Sequence, residues 1–305
     1  IKPCINCLIG CLDRGLLSHT PIHCTVNPTL YKFEGPEITP AEEQKNVAVV
    51  GAGPAGSEAA LTLAKRGHKV TIFEKRDFGG AMIEASVPDN KSNIRRLIQY
   101  YKNHIEANDA ITIVKEEADF DKIANGGFDA VILAIGGKTR TLKVAEDGKN
   151  TLIYANDYLN GSKKAIGDKV VVIGGGITGA ETALELKNEG KDVTIVEMAD
   201  QFLASNSSAC QAYSISISQT DIKIITGKRL VAAENGNAVV MDRWGNTTEL
   251  EADSIVIAAG FMPQYELAEQ LENETELEVY NVGDSKQVRQ IYDAIHEGFV
   301  AARQI

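Results

Sequence analysis

Short, mostly apolar runs recur along the chain, and several of them lead into glycines or into a carboxylate. Residues 47–50 and 170–173 are continuous runs of valine, alanine and isoleucine that precede glycine-rich turns. Residues 70–73 and 193–196 are similar runs, each ending one position before a glutamate. Short unbroken apolar runs are typical of strands that are buried on both faces of a parallel sheet. The pattern therefore predicts an α/β fold.

Other segments show helical or hairpin patterns. A helix is predicted over residues 91–107, because one side of it would carry Ile94, Leu97, Ile98, Tyr101 and Ile105. The serine-rich stretch 204–220 is compatible with either a helix or a loop. The remaining predicted elements are strands at 111–114, 128–135 and 222–225, hairpins over 233–250 with Trp244 in a turn, a strand at 255–260 that repeats the pattern of 131–136, and a closing helix over 287–303.

One strand–turn–helix–strand unit occurs twice. The motif G-A-G-P-A-G at 51–56 follows the first apolar run, and G-G-G-I-T-G at 174–179 follows its repeat. Glu74 lies 23 positions after the first glycine of its motif, and Glu197 lies equally far after its own. In such a unit the glycines permit a tight turn, close approach to a pyrophosphate and close helix packing, while the acid binds a ribose. The phosphates would bind at the start of the helix. The repeat predicts two nucleotide sites on two domains.

Composition narrows the class of protein. A chain of 305 residues is long enough for two domains with their own cores. A net charge of -11 argues against nucleic acid and against an anionic membrane surface as partners. No apolar run reaches the roughly 18 residues of a membrane span. Four of the five cysteines fall in the first 24 residues, unlike a secreted disulfide framework, so we expect a cytoplasmic protein.

The crowded cysteines form a C-x2-C-x3-C-x12-C array in a proline-punctuated, loop-like segment. Soft thiolate ligands suit an iron–sulfur cluster or zinc. The spacing favours a [4Fe–4S] cluster, since zinc sites more often contain two C-x2-C pairs or histidine. His19 and His23 keep zinc open, and the absence of any metal is a third alternative. A dinucleotide fold directly behind the array strengthens the case for a redox cluster. The predicted ligands are Cys4, Cys7, Cys11 and Cys24.

These features together resemble a known family. The two repeats, the Gly79-Gly80 pair and Asn281-Val282-Gly283-Asp284 are similar to flavoproteins of the glutathione reductase type, which have two Rossmann-like domains. The cysteine array with C-T-V-N-P at 24–28 narrows the resemblance to the C-terminal half of 2,4-dienoyl-CoA reductase, enoate reductase and the related trimethylamine dehydrogenase. The resemblance implies FAD in the first domain, NADH or, with less support, NADPH in a second domain inserted in the first, and an FMN-binding TIM barrel expected upstream.

The resemblance and the motifs together assign domains and sites. The expected domains are an iron–sulfur segment at 1–43, an FAD domain at 44–152 and 255–305, and an NAD(P)H domain at 153–254. The residues expected at FAD are Gly51, Gly53, Pro54, Ala55, Gly56, Glu74, Lys75, Gly80, Ala134, Gly136, Gly283 and Asp284, the last near the ribityl chain or phosphate. Those expected at the nicotinamide nucleotide are Gly174, Gly176, Ile177, Gly179, Glu197 and Gly260.

A few side chains have competing interpretations. Glu181 resembles the family glutamate near the nicotinamide, and a helix-surface glutamate is the alternative. Glu197 favours NADH over NADPH, since no basic residue directly follows it to bind a 2′-phosphate. Cys210 stands alone, without the second cysteine of a redox pair, and is interpreted as a buried thiol. His68, His104 and His296 are interpreted as ordinary residues on strand or helix surfaces.

The predicted function is the electron-input module of a multi-cofactor oxidoreductase. Hydride would pass from NADH to FAD, and single electrons would pass to the cluster and on to an FMN barrel that reduces an enoate or dienoyl-CoA double bond. One alternative is an amine dehydrogenase-type module that sends electrons outward. The intact second motif with Glu197 disfavours it, because trimethylamine dehydrogenase holds ADP and does not use NAD. Another is a non-catalytic nucleotide-binding module with a structural metal.

Overall fold

The structure is a computed structural model, in which residues 1–30, 37–161 and 166–305 are described. Residues 31–36 of the predicted iron–sulfur segment, and residues 162–165 of the predicted NAD(P)H domain, lie outside the described residues. No helix in the described part of the chain has the length and apolar character needed to cross a bilayer.

Strands and helices alternate along most of the described chain. The strands are β1 (Asn46–Val50), β2 (Lys69–Phe73), β3 (Ile111–Val114), β4 (Ala130–Leu133), β5 (Lys138–Thr139), β6 (Ala145–Glu146), β7 (Thr151–Tyr154), β8 (Lys169–Ile173), β9 (Asp192–Val196), β10 (Lys223–Ile225), β11 (Lys228–Glu234), β12 (Asn237–Asp242), β13 (Thr247–Glu251), β14 (Ser254–Ile257), β15 (Phe261–Met262) and β16 (Glu278–Asn281). The helices are α1 (Pro54–Arg66), α2 (Met82–Ala85), α3 (Ser92–Glu106), α4 (Phe120–Ala124), α5 (Ala155–Leu159), α6 (Ile177–Asn188), α7 (Ser208–Ser218), α8 (Glu266–Glu274) and α9 (Ile291–Gln304). Single turns of 3-10 helix occur at Asp89–Lys91 and Gly283–Ser285, and a π-helix at Ile9–Leu17.

The chain divides into two compact units. Unit 1 comprises residues 1–138 and 261–305, and unit 2 comprises residues 139–260. Unit 1 contains a five-stranded parallel sheet of order β16-β4-β1-β2-β3. Unit 2 contains a parallel sheet of order β10-β9-β8-β14-β7, which is the same arrangement in the equivalent strands. The predicted α/β fold with two dinucleotide-binding domains is confirmed.

The observed unit boundaries differ from those expected at 152/153 and 254/255. The strand β14 was assigned to the first domain because residues 255–260 repeat the pattern of 131–136. In the structure β14 lies between β8 and β7 in unit 2, with all four of its residues buried. It is therefore the counterpart of β4 within the second unit. The expected boundary at 152/153 divides the edge strand β7, which lies wholly in unit 2.

The core of unit 1 follows from the alternation of side chains along β1. Val47 and Val49 face α1, α3 and α9, whereas Ala48 and Val50 face α4 and α8. All of these β1 residues are buried. The predicted amphipathic helix is confirmed as α3, which buries the side chains Ile94, Leu97, Tyr101 and Ile105. A sheet covered by helices on both faces explains why the strands read as continuous apolar runs.

The second unit has one helical face and one face covered by strands. Val170 and Val172 of β8 pack in a cluster with α6 and α7 residues, whereas Val171 and Ile173 pack against residues of β11 and β12. The sheet β13-β12-β11-β6 contains the predicted hairpins. The undecided stretch 204–220 contains the helix α7, which begins after Ser207, whose hydroxyl accepts a hydrogen bond from the Cys210 amide at 3.2 Å.

The N-terminal segment belongs to unit 1 and shares its core. Ile5 and Val26 are buried in the same cluster as Val47 and Val49. The backbones of Cys24 and Asn27 form an isolated antiparallel β-bridge. The segment was predicted as loop, and the π-helix is an addition to that prediction. The turns of a π-helix are wider than those of an α-helix. Such helices often occur at functional sites.

Candidate nucleotide and cysteine sites

The first glycine turn of unit 1 leaves no room for a side chain. Gly51 has φ +99°, and a Cβ atom built on it would lie 2.4 Å from the carbonyl oxygen of Ala134. A Cβ atom on Gly56 would lie 1.9 Å from the carbonyl oxygen of Gly51. The predicted glycine roles of tight turn and close packing are therefore seen directly. Ala134 lies directly against the turn, and its amide donates a hydrogen bond to the Val50 carbonyl oxygen at 2.8 Å.

The glycine turn of unit 2 has the same geometry, and its contact distances agree with those of unit 1 to about a tenth of an ångström. Gly174 has φ +114°, and its Cβ atom would lie 2.3 Å from the carbonyl oxygen of Ala258. The Cβ atom of Gly179 would lie 1.8 Å from the carbonyl oxygen of Gly174. The Ala258 amide donates to the Ile173 carbonyl at 2.7 Å. The two units therefore share one backbone construction.

The middle glycine of each motif is less crowded. Gly53 and Gly176 are the N-cap residues of α1 and α6, and no side chain in the described chain caps either helix. A Cβ atom on Gly176 would meet no heavy atom within 4 Å. A Cβ atom on Gly80 would lie 3.0 Å from the Cα atom of Gly53, so these two backbones face each other. Uncapped first-turn amides beside open backbone are suited to bind phosphate.

The acid at the end of the second strand is held in the same way in both units. The Glu74 carboxylate accepts hydrogen bonds from the amides of Ala52 and Arg76, both at 2.7 Å. The Glu197 carboxylate accepts from the amides of Gly175 at 2.5 Å and Ala199 at 2.7 Å. Each acid is thus fixed beside its glycine turn, where the ribose of a dinucleotide is expected.

The closing segment contributes to the site in unit 1. Gly283 has φ +68°, and its amide donates to Glu297 of α9 at 2.7 Å. A Cβ atom on Gly283 would lie 3.3 Å from the Cβ atom of Ala55, so this loop lies against the first turn of α1. The Asp284 carboxylate accepts from the Arg289 amide at 3.0 Å, and burial raises the pKa of Asp284. The structure thus brings Gly283 close to the first turn of α1, although the two are far apart in sequence.

The other predicted nucleotide residues differ in their surroundings. Pro54 and Ile177 are the first residues of α1 and α6. Gly136 and Gly260 both have positive φ and open space around the Cβ position. Lys75 is exposed and pairs with Glu117 at 2.5 Å. No hydrogen bond of the Lys75 side chain to the glycine turn is seen among the described contacts.

Glu181 is buried in α6, with 7% of its surface exposed, so the alternative of a helix-surface glutamate does not fit. The equivalent residue of unit 1, Glu58, is also buried, and it pairs with Lys2 and accepts from the Tyr101 hydroxyl at 2.8 Å. Burial and the Glu58 carboxylate hold the pKa of Tyr101 well above its usual range. Glu58 thus ties the N-terminal segment to α1 and α3, which the sequence analysis missed.

The four N-terminal cysteines are all free thiols. The Cys7 thiol donates to Thr25 Oγ1 at 3.0 Å, and the Cys11 thiol to the Leu8 carbonyl at 3.6 Å. Burial raises the pKa of Cys7, and the nearby thiols of Cys11 and Cys4 raise it further. Among the described residues no group of three or more His, Cys, Asp or Glu side chains is arranged to hold a metal. The donor set fits an iron–sulfur cluster or zinc in its chemistry, and ligation would require the thiols to turn away from their local acceptors.

Aromatic residues of α9 hold the end of the cysteine segment. His296 Nε2 donates to the carbonyl oxygen of Cys24 at 3.0 Å, and His23 Nδ1 lies 3.1 Å from the Tyr292 hydroxyl. The Tyr292 and His296 rings stack with centroids 4.1 Å apart. His296, interpreted as an ordinary helix-surface residue, is half-buried and contacts the Cys24 end of the cysteine segment. The four-residue spacing of Tyr292 and His296, which places them on one face of a helix, was the available signal.

Two further interpretations are decided by burial. His68 is fully buried, contrary to its predicted surface position, and its Nδ1 accepts from the Lys45 amide at 3.2 Å. Burial is the main cause that lowers the pKa of His68. Cys210 is 4% exposed, which confirms it as a buried thiol.

Known proteins with similar sequences and structures share this architecture. The chain is 33% identical to a cinnamate reductase from Clostridium sporogenes over all of this chain and 46% of the relative. It is 35% identical to an NADH oxidase from Thermoanaerobacter brockii, over all of this chain and 48% of the relative. A solved structure of a 2-naphthoyl-CoA reductase superposes with a TM-score of 0.88 and 31% identity, covering 99% of this chain and 46% of that one. The chain thus spans about half the length of these relatives.

The comparisons confirm the predicted class of protein. The resemblance to enoate reductase-like enzymes is supported by the cinnamate reductase and by the 2-naphthoyl-CoA reductase. The profile of the pyridine nucleotide-disulphide oxidoreductases matches residues 45–295. This match predicts a flavin- and pyridine nucleotide-dependent oxidoreductase, in agreement with the sequence analysis. Because it covers most of both units, the chain belongs to the pyridine nucleotide-disulphide oxidoreductase family.

Proposed function

We propose that the chain is the electron-input part of a larger enoate reductase-like enzyme, taking hydride from NADH and passing single electrons onward. The observation that carries this proposal is the duplicated turn, in which Glu74 and Glu197 accept hydrogen bonds from equivalent amides. One such site suffices for a protein that binds a single nucleotide. Two sites suit a protein that moves electrons between two nucleotides.

In unit 1 the bound nucleotide would be FAD. The first turn of α1 would bind its pyrophosphate, Glu74 would orient the adenosine ribose, and Asp284 would face the ribityl chain or phosphate. Support comes from the approach of Gly283 to Ala55 and of Gly80 to Gly53, which brings two glycines from distant segments close to the start of α1. When bound, FAD links two-electron chemistry with one-electron chemistry.

In unit 2 the bound nucleotide would be NADH. The start of α6 would bind the pyrophosphate, and Glu197 would accept hydrogen bonds from the 2′-hydroxyl of the adenosine ribose. We assign Glu181 the position beside the nicotinamide, because it is buried on the first turns of the same helix. Its carboxylate would orient the ring and exclude water.

The cysteine segment would hold a [4Fe–4S] cluster through Cys4, Cys7, Cys11 and Cys24. The support is the donor set, because four thiols in a C-x2-C-x3-C-x12-C array suit such a cluster. When bound, such a cluster supplies one-electron transfer. The contacts of α9 would hold the Cys24 end of the segment while the other thiols turn to ligate.

The rest of the enzyme would lie in the half of the relatives that this chain does not span. By resemblance that half would be an FMN-binding barrel in the same polypeptide, where an enoate or acyl-CoA double bond is reduced. The names of the cinnamate and 2-naphthoyl-CoA reductases agree with this class of substrate. Cysteines that form no disulfide suit a reducing compartment, and we propose the cytoplasm.

Anaerobic purification of the chain tests the proposal. We expect FAD in the heat-released extract, four irons and four sulfides per chain, and faster bleaching of the flavin absorbance by NADH than by NADPH. With Cys7→Ser we expect loss of iron and sulfide while FAD and its bleaching remain. The matched control is Cys210→Ser, the remote thiol, which should keep its iron. The chain should not turn over an enoyl substrate until an FMN barrel is supplied.

Other outcomes separate the alternatives. Zinc without sulfide, in a chain that binds nucleotide but shows no flavin reduction, would support the non-catalytic module. FAD that NADH fails to bleach, with ADP bound in unit 2, would support the outward-flowing amine dehydrogenase-type module.

A further inference from the structure

An arginine from a distant hairpin lies beside the acid-tipped strand of unit 2. Asp200, three positions after Glu197, forms an ion pair with Arg243, which lies in the turn between β12 and β13. The Arg243 guanidinium carbon is 5.2 Å from the ring centroid of Trp244. Trp244 is the only tryptophan of the chain, and 78% of it is exposed.

The sheet register explains why this turn meets the Glu197 loop. The Lys228 amide donates to the Glu197 carbonyl at 3.1 Å, and the adjacent Gly227 amide donates to Ala199 at 2.9 Å. Lys228 is also paired with Asp242 across the hairpin. Lys228 therefore lies between Glu197 and Asp242, and the turn that carries Arg243 starts one strand away from Glu197. The Asp242 carboxylate fixes this turn by accepting the amide of Trp244 at 2.9 Å.

One ion pair sets the charge beside the Glu197 loop. The Asp200 carboxylate pairs with the Arg243 guanidinium, so the positive charge that would attract an additional anion is already balanced. The Asp200–Arg243 pair is exposed on both sides, and such pairs contribute little stability. A phosphate offers arginine a stronger, bidentate partner than a single exposed carboxylate does. In the sequence no basic residue directly follows Glu197. In the fold, the turn between β12 and β13 brings Arg243 to Asp200.

We propose that Asp200 and Arg243 are specificity residues of the unit 2 nucleotide site. The Asp200 carboxylate pairs with the guanidinium of Arg243. The guanidinium is then not available to a ribose 2′-phosphate, which helps to exclude that phosphate. Without the Asp200 carboxylate, Arg243 becomes the counterion of that phosphate, and the site accepts NADPH. This inference rests on the proposed binding of a dinucleotide in unit 2.

The experiment uses Trp244 fluorescence to measure the binding of 5′-ADP and 2′,5′-ADP, and repeats the measurement with NADH and NADPH by calorimetry. The variants are Asp200→Asn, Arg243→Gln and the double variant. The control is Asp192→Asn, which removes one exposed carboxylate at the opposite end of β9 and changes the net charge equally. All these side chains lie on the surface, and thermal melting should confirm an unchanged fold.

We expect Asp200→Asn to tighten 2′,5′-ADP and NADPH binding roughly tenfold, the scale of one charge-assisted hydrogen bond. Binding of 5′-ADP and NADH should change little. The double variant should return to the wild-type affinity for 2′,5′-ADP, and Asp192→Asn should match wild type throughout.

Three results would overturn the inference. Tightening that persists in the double variant would show a simple loss of negative charge, and no tightening in Asp200→Asn would show that Arg243 does not reach the phosphate. In both cases 5′-ADP and NADH would still bind, so the proposed function would stand. If neither 5′-ADP nor NADH binds the wild-type chain, the inference fails together with the proposed NADH site.

Discussion

Replacing Gly179 by alanine tests whether the start of α6 is locked against its strand. The added Cβ atom would lie 1.8 Å from the carbonyl oxygen of Gly174 and 2.9 Å from its carbonyl carbon, far inside ordinary contact distance. The obstacle is backbone, so it cannot rotate away as a side chain would. The helix would have to move back by roughly 1.5 Å in a closely packed interior.

The magnitude follows from two opposing effects. Overpacking of this kind costs about 1–3 kcal/mol, and a clash with backbone belongs at the upper end. Alanine restricts the unfolded chain more than glycine does, which recovers about 0.4–1 kcal/mol. We expect a net loss of about 2 kcal/mol in the free energy of unfolding, or roughly a 4–8 °C fall in the melting temperature.

The matched control is Gly176→Ala, three residues earlier in the same motif. Its Cβ atom would meet no heavy atom within 4 Å, and its φ of -80° suits alanine. We expect its unfolding free energy to change by less than about 1 kcal/mol, from the weaker N-cap alone. The methyl group would, however, lie where the pyrophosphate of NADH is expected, so binding of NADH should weaken.

The assay is thermal denaturation by circular dichroism, with NADH binding measured by calorimetry on the same samples. Gly179→Ala should lower the melting temperature, and Gly176→Ala should lower NADH affinity without lowering the melting temperature. Gly56→Ala makes the same stability test in unit 1, with a contact of 1.9 Å. Equal melting temperatures for Gly179→Ala and Gly176→Ala would refute the reasoning from close packing.

Two predictions concern buried charge in unit 1. Glu58→Gln keeps the hydrogen-bond acceptor for Tyr101 but removes the charge that pairs with Lys2. We expect the free energy of unfolding, measured with urea, to fall by about 1–2 kcal/mol, and residues 1–30 to be cleaved faster by protease. Unchanged proteolysis would contradict the role of Glu58 in holding the N-terminal segment. Burial lowers the pKa of His68, so the unfolded state binds the proton first and stability should fall as pH drops below about 6.5. His68→Asn, which can still accept the Lys45 amide, should flatten that slope in pH-dependent melting, and an unchanged slope would assign it to other groups.

Local patterns in the sequence determined the repeated unit and its glycines. A strand, a turn and the helix that follows it involve neighbouring residues, so their requirements are written in adjacent positions. Gly51 and Gly56 are needed because one turn brings its own carbonyl against the next helix. The amphipathic α3 was predictable for the same reason, since its apolar positions repeat every three or four residues.

Pairing between distant segments decided what the sequence left open. The run 255–260 was assigned to the FAD domain because it repeats the pattern of 131–136, and only the position of β14 between β8 and β7 placed it in unit 2. Burial of His68 depends on how the β2 end is covered, which no local pattern records.

The side-chain contacts that join distant elements were likewise decided by the tertiary structure. Lys2 meets Glu58, His296 meets Cys24, and Arg243 meets Asp200, each from a different part of the chain. A sequence motif reports the residues that one element supplies to a site. Strand order and hairpin register decide which other residues reach it, because these set the distances between elements that are far apart along the chain.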